Sequence, residues 1–320
     1  MFKNTMIIEY VCINNKPHFI AVEEIKAISE IFKISIEFVK ISEGFIIIKA
    51  PLFFAYLLIK RMSLLKRIII LFNDVDELYE FLVNHHVKKI RIEGDAEFSK
   101  EILKELSEFI ISLDEPDITI YVSNEGKLGV IFQGNRRQFL KRNPPYRPYS
   151  PPYTMDSFLS RLAVNLSRAF PGCLFFDPFC GSGSFLLEAY FVGCYPIGVD
   201  ISLPDLIGAR YNLKFFGADA ILIASDSTRR LIAENSIDSI ATDPPYGRAS
   251  RVSKYILKLY NDFLTVSYNV LKSGRYLVFF HPSILKEVNK IIEQIGFRYI
   301  FTFPIRAHKS LIRNLTILRV

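Results

Sequence analysis

Acidic residues end successive strand-like stretches in the second half of the chain. Asp177 opens the segment DPFCGSGS, Asp200 lies in GVDIS, and Asp226 lies in ASDST. The carboxyl ends of parallel strands meet at one edge of a sheet, and open sheets of this kind bind ligands there. Each aspartate on its own could instead cap a helix. Three in succession favour a binding site.

The loop after Asp177 has the features of an anion-binding turn. Gly181 and Gly183 permit close approach of the backbone to a ligand, and the following helix points free N–H groups at negative charge. A dinucleotide fingerprint would have a third glycine at 186, where this chain has Leu186. The loop therefore suits a nucleoside that carries a carboxylate. With ribose on Asp200 and adenine on Asp226, the pattern predicts S-adenosylmethionine as cofactor, bound by Asp177, Phe179, Gly181, Gly183, Asp200, Ile201, Asp226 and Ser227.

The most specific motif is Asp243-Pro244-Pro245-Tyr246. Two prolines fix the backbone, so that the Asp243 carboxylate and the Pro244 carbonyl can converge on one exocyclic amine. Holding both amine hydrogens turns the nitrogen lone pair toward a methyl donor. Tyr246 offers an aromatic face to a base taken out of its stack. The alternative is a plain turn. We predict that Asp243, Pro244 and Tyr246 are the catalytic residues.

Charge and cysteine content narrow the class of partner. The formal net charge is +7, and two tracts, between Glu125 and Asp156 and after Glu293, contain basic residues but no acid. Such tracts favour a nucleic-acid partner over two solvated faces. The four cysteines lack metal-ligand spacing, so we expect neither a metal site nor a disulfide framework. No apolar run approaches the ~20 residues that cross a bilayer, so we expect a soluble, cytoplasmic protein without a membrane partner. No feature indicates the oligomeric state.

Hydrophobic periodicity divides the chain into two parts. In residues 1–135, predicted strands at 6–13, 34–41 and 44–50 alternate with predicted helices at 22–32 and 100–112, the latter capped by Ser99. Five prolines within residues 134–153 predict an extended, basic, semi-rigid linker. From residue 154 onward, apolar strands alternate with helices, which is typical of a doubly wound α/β sheet.

These motifs resemble the archaeal THUMP-containing tRNA guanine-N2 methyltransferases that modify guanosine 10. DPFCGSGS, the acids at 200 and 226, DPPYG and the tail HKSLIR carry the resemblance, with Ile312 where the family has a hydroxyl residue. The resemblance implies a Rossmann-like (class I) methyltransferase domain at 154–320. It implies a ferredoxin-like subdomain at 1–68, a THUMP domain at 69–135 and the linker at 136–153 before it. Together with the basic tracts it implies tRNA as the partner, contacted by Arg136, Arg137, Lys141, Arg142, Arg147, Arg248, His308, Lys309 and Arg313.

The residues leave two other functions open. An adenine-N6 methyltransferase on DNA or RNA also uses Asp-Pro-Pro-Tyr, although the THUMP-like half and the tail HKSLIR favour guanine. A non-catalytic RNA-binding protein with a methyltransferase fold would be expected to show decay of the donor loop or of DPPY, and neither has decayed. The expected product is N2-methylguanosine, N2,N2-dimethylguanosine or both.

Overall fold

The computed structural model describes residues 7–14, 18–246, 254–308 and 311–320, without the side chains of Ile7, His18, Ala307, His308 and Leu311. The chain forms two compact units, Met1–Arg136 and Arg137–Val320. Within the described ranges, every helix is too short or too polar to cross a bilayer. The same ranges contain no group of three or more His, Cys, Asp or Glu side chains that could hold a metal ion.

The first unit is an eight-stranded sheet covered by helices. Its strands follow the order β2-β3-β1-β4-β8-β7-β5-β6. The elements in chain order are β1 (Ile7–Asn14), α1 (His18–Phe32), β2 (Glu37–Ser42), β3 (Phe45–Pro51), α2 (Leu52–Arg61), β4 (Leu65–Phe72), α3 (Val75–Asn84), β5 (Lys89–Gly94), α4 (Ala96–Glu105), β6 (Ile110–Ile111), β7 (Ile118–Val122) and β8 (Leu128–Gln133).

The predicted division at 68/69 falls inside β4. This strand pairs antiparallel with β1 on one side and with β8 on the other, so one continuous sheet joins the two predicted regions. Apolar side chains form two clusters on this sheet, one around Tyr10, Phe54 and Ile68 and the other around Phe81 and Ile120. Two hydrophobic cores therefore pack against one continuous β-sheet.

The predicted helix at 100–112 begins and ends earlier. Helix α4 covers Ala96–Glu105, and its N-cap is Asp95, whose carboxylate accepts hydrogen bonds from the backbone N–H of Glu97 and Phe98. Ser99 lies inside the first turn, where its hydroxyl donates to the Asp95 carbonyl. The prediction that Ser99 caps this helix was wrong because an aspartate four residues earlier fulfils the same role.

The second unit contains a seven-stranded sheet in the order β11-β10-β9-β12-β13-β15-β14. Strands β9 to β13 run parallel, and β15 runs antiparallel between β13 and β14. The predicted doubly wound α/β sheet is thus confirmed. Its elements are α5 (Arg136–Lys141), a 3₁₀ turn (Pro144–Tyr146), α6 (Ser157–Leu166), β9 (Leu174–Asp177), α7 (Ser184–Phe191), β10 (Tyr195–Asp200), α8 (Leu203–Phe215), β11 (Ile221–Ala224), β12 (Ile237–Thr242), α9 (Lys254–Val270), β13 (Leu271–Pro282), α10 (Glu287–Ile295), β14 (Arg298–His308) and β15 (Leu311–Arg319).

The proline-rich segment predicted as a linker packs onto the second unit. The Arg142 guanidinium donates to both carboxylate oxygens of Glu188, at 2.7 and 2.9 Å, and Arg147 donates to the Ser184 hydroxyl at 2.5 Å. Both arginines are buried. The prolines do prevent a long helix, but the arginines between them insert into the domain. The segment predicted as an extended, basic, semi-rigid linker thus contains a short helix and a 3₁₀ turn, and two of its arginines are buried against α7.

Candidate active site

One cavity of about 630 Å³ lies at the carboxyl edge of the parallel strands in the second unit. The acids that end or follow β10, β11 and β12 line it, together with one glycine of the loop after β9. Nine of the eleven residues predicted for cofactor binding and catalysis surround this cavity. They are Phe179, Gly181, Asp200, Ile201, Asp226, Ser227, Asp243, Pro244 and Tyr246.

The glycine loop is held by the acid of the neighbouring strand. The backbone N–H of Gly181 donates to Asp200 Oδ2 at 2.8 Å, and a Cβ on Gly181 would meet no atom of the described residues within 4 Å. Gly183 has a φ of +84° and caps α7, where a Cβ would approach Ala209 Cβ to 3.2 Å. Gly181 therefore exposes bare backbone to the cavity, whereas Gly183 serves helix packing and does not line the cavity.

Asp200 and Asp226 keep acceptor capacity for a ligand. Asp200 accepts from Gly181 N–H and from Ser202 N–H at 2.9 Å, one bond to each oxygen. Asp226 Oδ1 accepts both the N–H and the hydroxyl of Thr228, which lowers the pKa of Asp226. A carboxylate has about four lone-pair sites, so each aspartate retains sites that the described residues do not fill. Both side chains are able to bind hydroxyl or amine donors in the cavity.

Asp177 lies beneath the loop and does not line the cavity. It is fully buried, and its Oδ1 accepts from the Thr242 hydroxyl at 2.6 Å and from Phe179 N–H at 3.1 Å. Its Oδ2 is buried and has no hydrogen-bond partner among the described residues. Burial raises the pKa of Asp177 to about 8. The carboxyl group supports the loop from below rather than reaching the cavity as a side chain.

Asp243 is the acid that follows β12, and two described side chains contact its carboxylate. The Tyr246 hydroxyl donates to Oδ1 at 2.5 Å, and Arg313 Nη1 lies 3.4 Å from Oδ2. Burial raises the pKa of Asp243 to about 6, while Arg313 and the Tyr246 hydroxyl act in the opposite direction. The carboxylate form therefore predominates at neutral pH and can accept hydrogens from an amine.

Arg313 reaches Asp243 from β15. Its guanidinium lies over the Phe280 ring at 4.8 Å and donates to Met155 Sδ at 3.2 Å. Its side chain is only 12% exposed. The prediction that Arg313 contacts RNA phosphate does not fit this burial, because an aromatic ring and a carboxylate already surround the cation. The Arg313 guanidinium instead lies where it can orient the Asp243 carboxylate.

The other residues predicted to contact RNA differ in solvent exposure. Arg137 and Lys141 are exposed on α5, and Arg136 is half-buried. Arg142 and Arg147 are buried against α7, so the prediction that they bind tRNA was wrong: their guanidinium groups are already occupied by Glu188 and Ser184. Arg248 and Lys309, and the side chain of His308, lie outside the described residues.

Several cavity residues were missed by the sequence analysis. Tyr153 precedes α6, Asp205 lies in the first turn of α8, and Tyr255, Ile256 and Leu259 lie on α9. Tyr153 belongs to the proline-rich segment, and the three tyrosines of that segment were the signal in the sequence that it packs against the domain. For Asp205 the sequence offers no signal beyond a helix-start pattern, which commonly contains an acid.

Comparisons with known proteins agree with this geometry. A family model described as "RMKL-like, methyltransferase domain" matches residues 144–302. The tRNA (guanine(10)-N2)-dimethyltransferase of Methanothermobacter thermautotrophicus is 32% identical over 185 residues, which are 58% of this chain and 54% of that protein. The chain thus spans about half the length of this relative.

Two further matches cover more of the compared protein. The probable tRNA (guanine(10)-N2)-dimethyltransferase of Methanothermococcus thermolithotrophicus is 33% identical over 163 residues, 48% of this chain and 93% of that protein. The crystal structure of TrmN from Thermus thermophilus superimposes with a TM-score of 0.52 at 17% identity, over 98% of this chain and 100% of that one, so the two share a fold. The chain therefore belongs to the tRNA (guanine(10)-N2)-methyltransferase family.

Proposed function

We propose that this protein transfers methyl groups from S-adenosylmethionine to the exocyclic N2 of guanosine 10 in tRNA. The observation that carries the proposal is the location of Asp243-Pro244-Pro245-Tyr246 on the same cavity as Asp200 and Asp226. An amine-binding motif and a nucleoside-binding set are thus within one enclosure. Methylation on N2 gives N2-methylguanosine, and a second transfer gives N2,N2-dimethylguanosine.

The residues of the cavity fit S-adenosylmethionine. Gly181 exposes open backbone, and the carboxylates of Asp200 and Asp226 retain lone pairs for ribose hydroxyls and for an adenine amine. Phe179 and Ile201 add apolar walls. When bound, the cofactor supplies a methyl group on a positively charged sulfur. The carboxylates that line the cavity complement that charge.

Asp243 and Pro244 hold the target amine. One carboxylate oxygen and the Pro244 carbonyl accept its two hydrogens, which leaves the nitrogen lone pair directed away from both acceptors. In the overall reaction an N–C bond forms as the S–C bond breaks, and the nitrogen then loses one proton. Asp243, with a pKa of about 6, is basic enough to take a proton from the strongly acidic methylated amine.

Tyr246 has two roles in this arrangement. Its ring lines the cavity beside Asp243 and offers a stacking surface to the extruded guanine. Its hydroxyl holds Asp243 Oδ1 in place. Burial and the neighbouring carboxylate raise the pKa of Tyr246, so the hydroxyl remains a donor. Most of the rate enhancement then comes from orientation of amine and methyl donor.

We assign tRNA binding to the first unit and to the exposed cations of α5. The ferredoxin-like and THUMP regions predicted at 1–68 and 69–135 share the sheet of the first unit. Arg137 and Lys141 are exposed and available to phosphates, with Arg136, Arg248, His308 and Lys309 as further proposed contacts. Such a substrate agrees with a cytoplasmic protein.

The test is incubation of purified protein with unmodified tRNA transcript and labelled donor, followed by nucleoside analysis. N2-methylated guanosine that disappears when guanosine 10 is replaced supports the proposal. Formation of N6-methyladenosine would be compatible with the methyltransferase fold but would exclude guanine N2 as the methylated atom. Asp243→Ala is expected to abolish turnover while donor binding, measured by calorimetry, stays near the wild-type value. Normal turnover by this variant would contradict the assignment of Asp243.

A further inference from the structure

Two tyrosines and an aspartate form a hydrogen-bonded cluster at the rim of the cavity. The hydroxyls of Tyr149 and Tyr153 each donate to Asp205 Oδ1 at 2.8 Å. Tyr153 and Asp205 both line the cavity, and Asp205 is largely buried. None of these three residues belongs to the predicted nucleoside-binding set or to the Asp-Pro-Pro-Tyr motif. We call them the tyrosine–aspartate cluster.

Helix α8 fixes the cluster on the glycine-loop side of the cavity. Asp205, Gly208, Ala209 and Asn212 are spaced along one face of this helix. Ala209 packs against Gly183, and Asn212 Nδ2 donates to the Ser182 carbonyl at 2.9 Å. The face that carries Asp205 therefore looks onto the loop after β9, on the opposite side of β10 from β11, which leads to Asp226.

The backbone of Tyr149 is held independently of its hydroxyl. Asn212 accepts from Tyr149 N–H at 2.9 Å and donates to the Tyr149 carbonyl at 2.8 Å. A Cβ on Gly208 would lie 2.0 Å from the Tyr149 ring, so the absence of a side chain makes room for that ring. The Tyr149 hydroxyl is consequently presented to Asp205 by a residue whose backbone is hydrogen-bonded through both its N–H and its carbonyl.

The hydrogen bonds of the tyrosine–aspartate cluster leave Asp205 Oδ2 available to a ligand. Burial and the bond to Asp205 raise the pKa of Tyr153, so its hydroxyl remains a donor. Both tyrosines bond to Oδ1, and the described residues give Oδ2 no hydrogen bond. Asp205 therefore presents a carboxylate that is oriented on one side and free to bind a cation on the other.

We propose that Asp205, oriented by Tyr149 and Tyr153, binds the ammonium group of the amino-acid end of the methyl donor. This inference rests on the proposed function, since it assumes S-adenosylmethionine in the cavity. With ribose on Asp200 and adenine near Asp226, the amino-acid end extends toward the glycine loop, where the cluster lies. A partly buried carboxylate there discriminates the donor from nucleosides that lack an amino acid, because the charge-assisted bond is missing for them.

The experiment compares two ligands by calorimetry on the full chain. S-adenosylhomocysteine carries the ammonium, whereas 5′-methylthioadenosine keeps the nucleoside and the thioether but has no amino acid. Asp205→Asn should weaken S-adenosylhomocysteine binding by about tenfold or more and leave methylthioadenosine binding within about twofold. Tyr153→Phe should produce the same selectivity with a smaller loss. Asp219→Asn, which removes an exposed acid elsewhere on the second unit, should change neither affinity.

The outcomes separate the inference from the proposed function. Equal weakening of both ligands by Asp205→Asn, or no change for either, overturns the assignment of Asp205 while S-adenosylhomocysteine binding by the wild type preserves the proposed function. Absence of S-adenosylhomocysteine binding by the wild-type protein overturns both. Thermal unfolding checks that each variant is folded. If Asp205→Asn does not fold, Tyr153→Phe carries the test with the same two ligands.

Discussion

Replacing Arg313 by methionine should move the acid limb of the pH–rate profile to higher pH. Arg313 Nη1 lies 3.4 Å from Asp243 Oδ2, and the guanidinium opposes the effect of burial, which raises the pKa of Asp243 to about 6. Methionine retains apolar contact with Phe280 but removes the positive charge. The burial effect then acts with less opposition, and the pKa of Asp243 rises further.

The size of the shift follows from the lost interaction. A hydrogen bond to a charged group contributes about 1.5–3 kcal/mol, and one pKa unit corresponds to ~1.4 kcal/mol. Loss of Arg313 is therefore expected to raise the pKa of Asp243 by roughly one to two units, to about 7–8. The active form is the carboxylate, so activity is lost as pH falls through the pKa of the folded protein. At pH 7 the variant should retain about a tenth to a half of the wild-type rate and recover at pH 9.

Single-turnover methyl transfer to a tRNA transcript, measured between about pH 5 and 9, provides the assay. Arg313→Lys keeps the charge and should show a smaller shift. Arg230→Met serves as a control, since Arg230 is 74% exposed and pairs only with Glu234 among the described residues. An unchanged apparent pKa in Arg313→Met would refute the reasoning. A loss of methyl-transfer rate that persists at pH 9 would also refute it, and would favour the predicted contact of Arg313 with tRNA.

Three further perturbations test the network around the cavity. Burial raises the folded-state pKa of Asp177 from 3.8 to about 8, so the unfolded chain releases a proton that the folded protein keeps, and stability falls as pH rises across that interval. The difference in Tm between Asp177→Asn and wild type should therefore be more favourable to the variant at pH 8 than at pH 5. An equal difference at both pH values would contradict this. Glu188→Gln removes the buried carboxylate charge that Arg142 and Arg161 both contact, and should lower the free energy of unfolding, measured with denaturant, by about 3–5 kcal/mol. A loss below ~1 kcal/mol would mean that these two ion pairs contribute little to stability. Arg137→Ala and Lys141→Ala should leave stability within ~0.5 kcal/mol but reduce the salt dependence of tRNA binding by about one ion each, and an unchanged salt slope would exclude both from the interface.

The strand-end acids were predictable because their environment is set locally. A strand followed by Asp-Pro-Pro-Tyr or by a glycine loop places its last residue at the sheet edge whatever the rest of the chain does. Asp200, Asp226 and Asp243 accordingly line the cavity. Asp177 has the same sequence context, but the Thr242 hydroxyl draws its carboxylate into the core.

The arginines and the cluster depend on partners that are distant in sequence. Arg142 and Arg147 look like phosphate ligands because no acid is nearby in the chain, yet Glu188, on α7, neutralises Arg142. Asp205 meets tyrosines more than fifty residues earlier. Runs of charged residues and hydrophobic periodicity do not predict which distant side chains will contact each other. They are decided by which side chains the tertiary fold brings together.

The position of β15 has a consequence for synthesis on the ribosome. This strand lies between β13 and β14 in the sheet, although both precede it in the chain. Until residues 311–319 have emerged, the nascent chain presents two unpaired strand edges and lacks the cation that contacts Asp243. Pairing of β15 with both neighbours and the arrival of Arg313 beside Asp243 are thus one event, and a chain interrupted before β15 would leave the edges of β13 and β14 open to edge-to-edge aggregation.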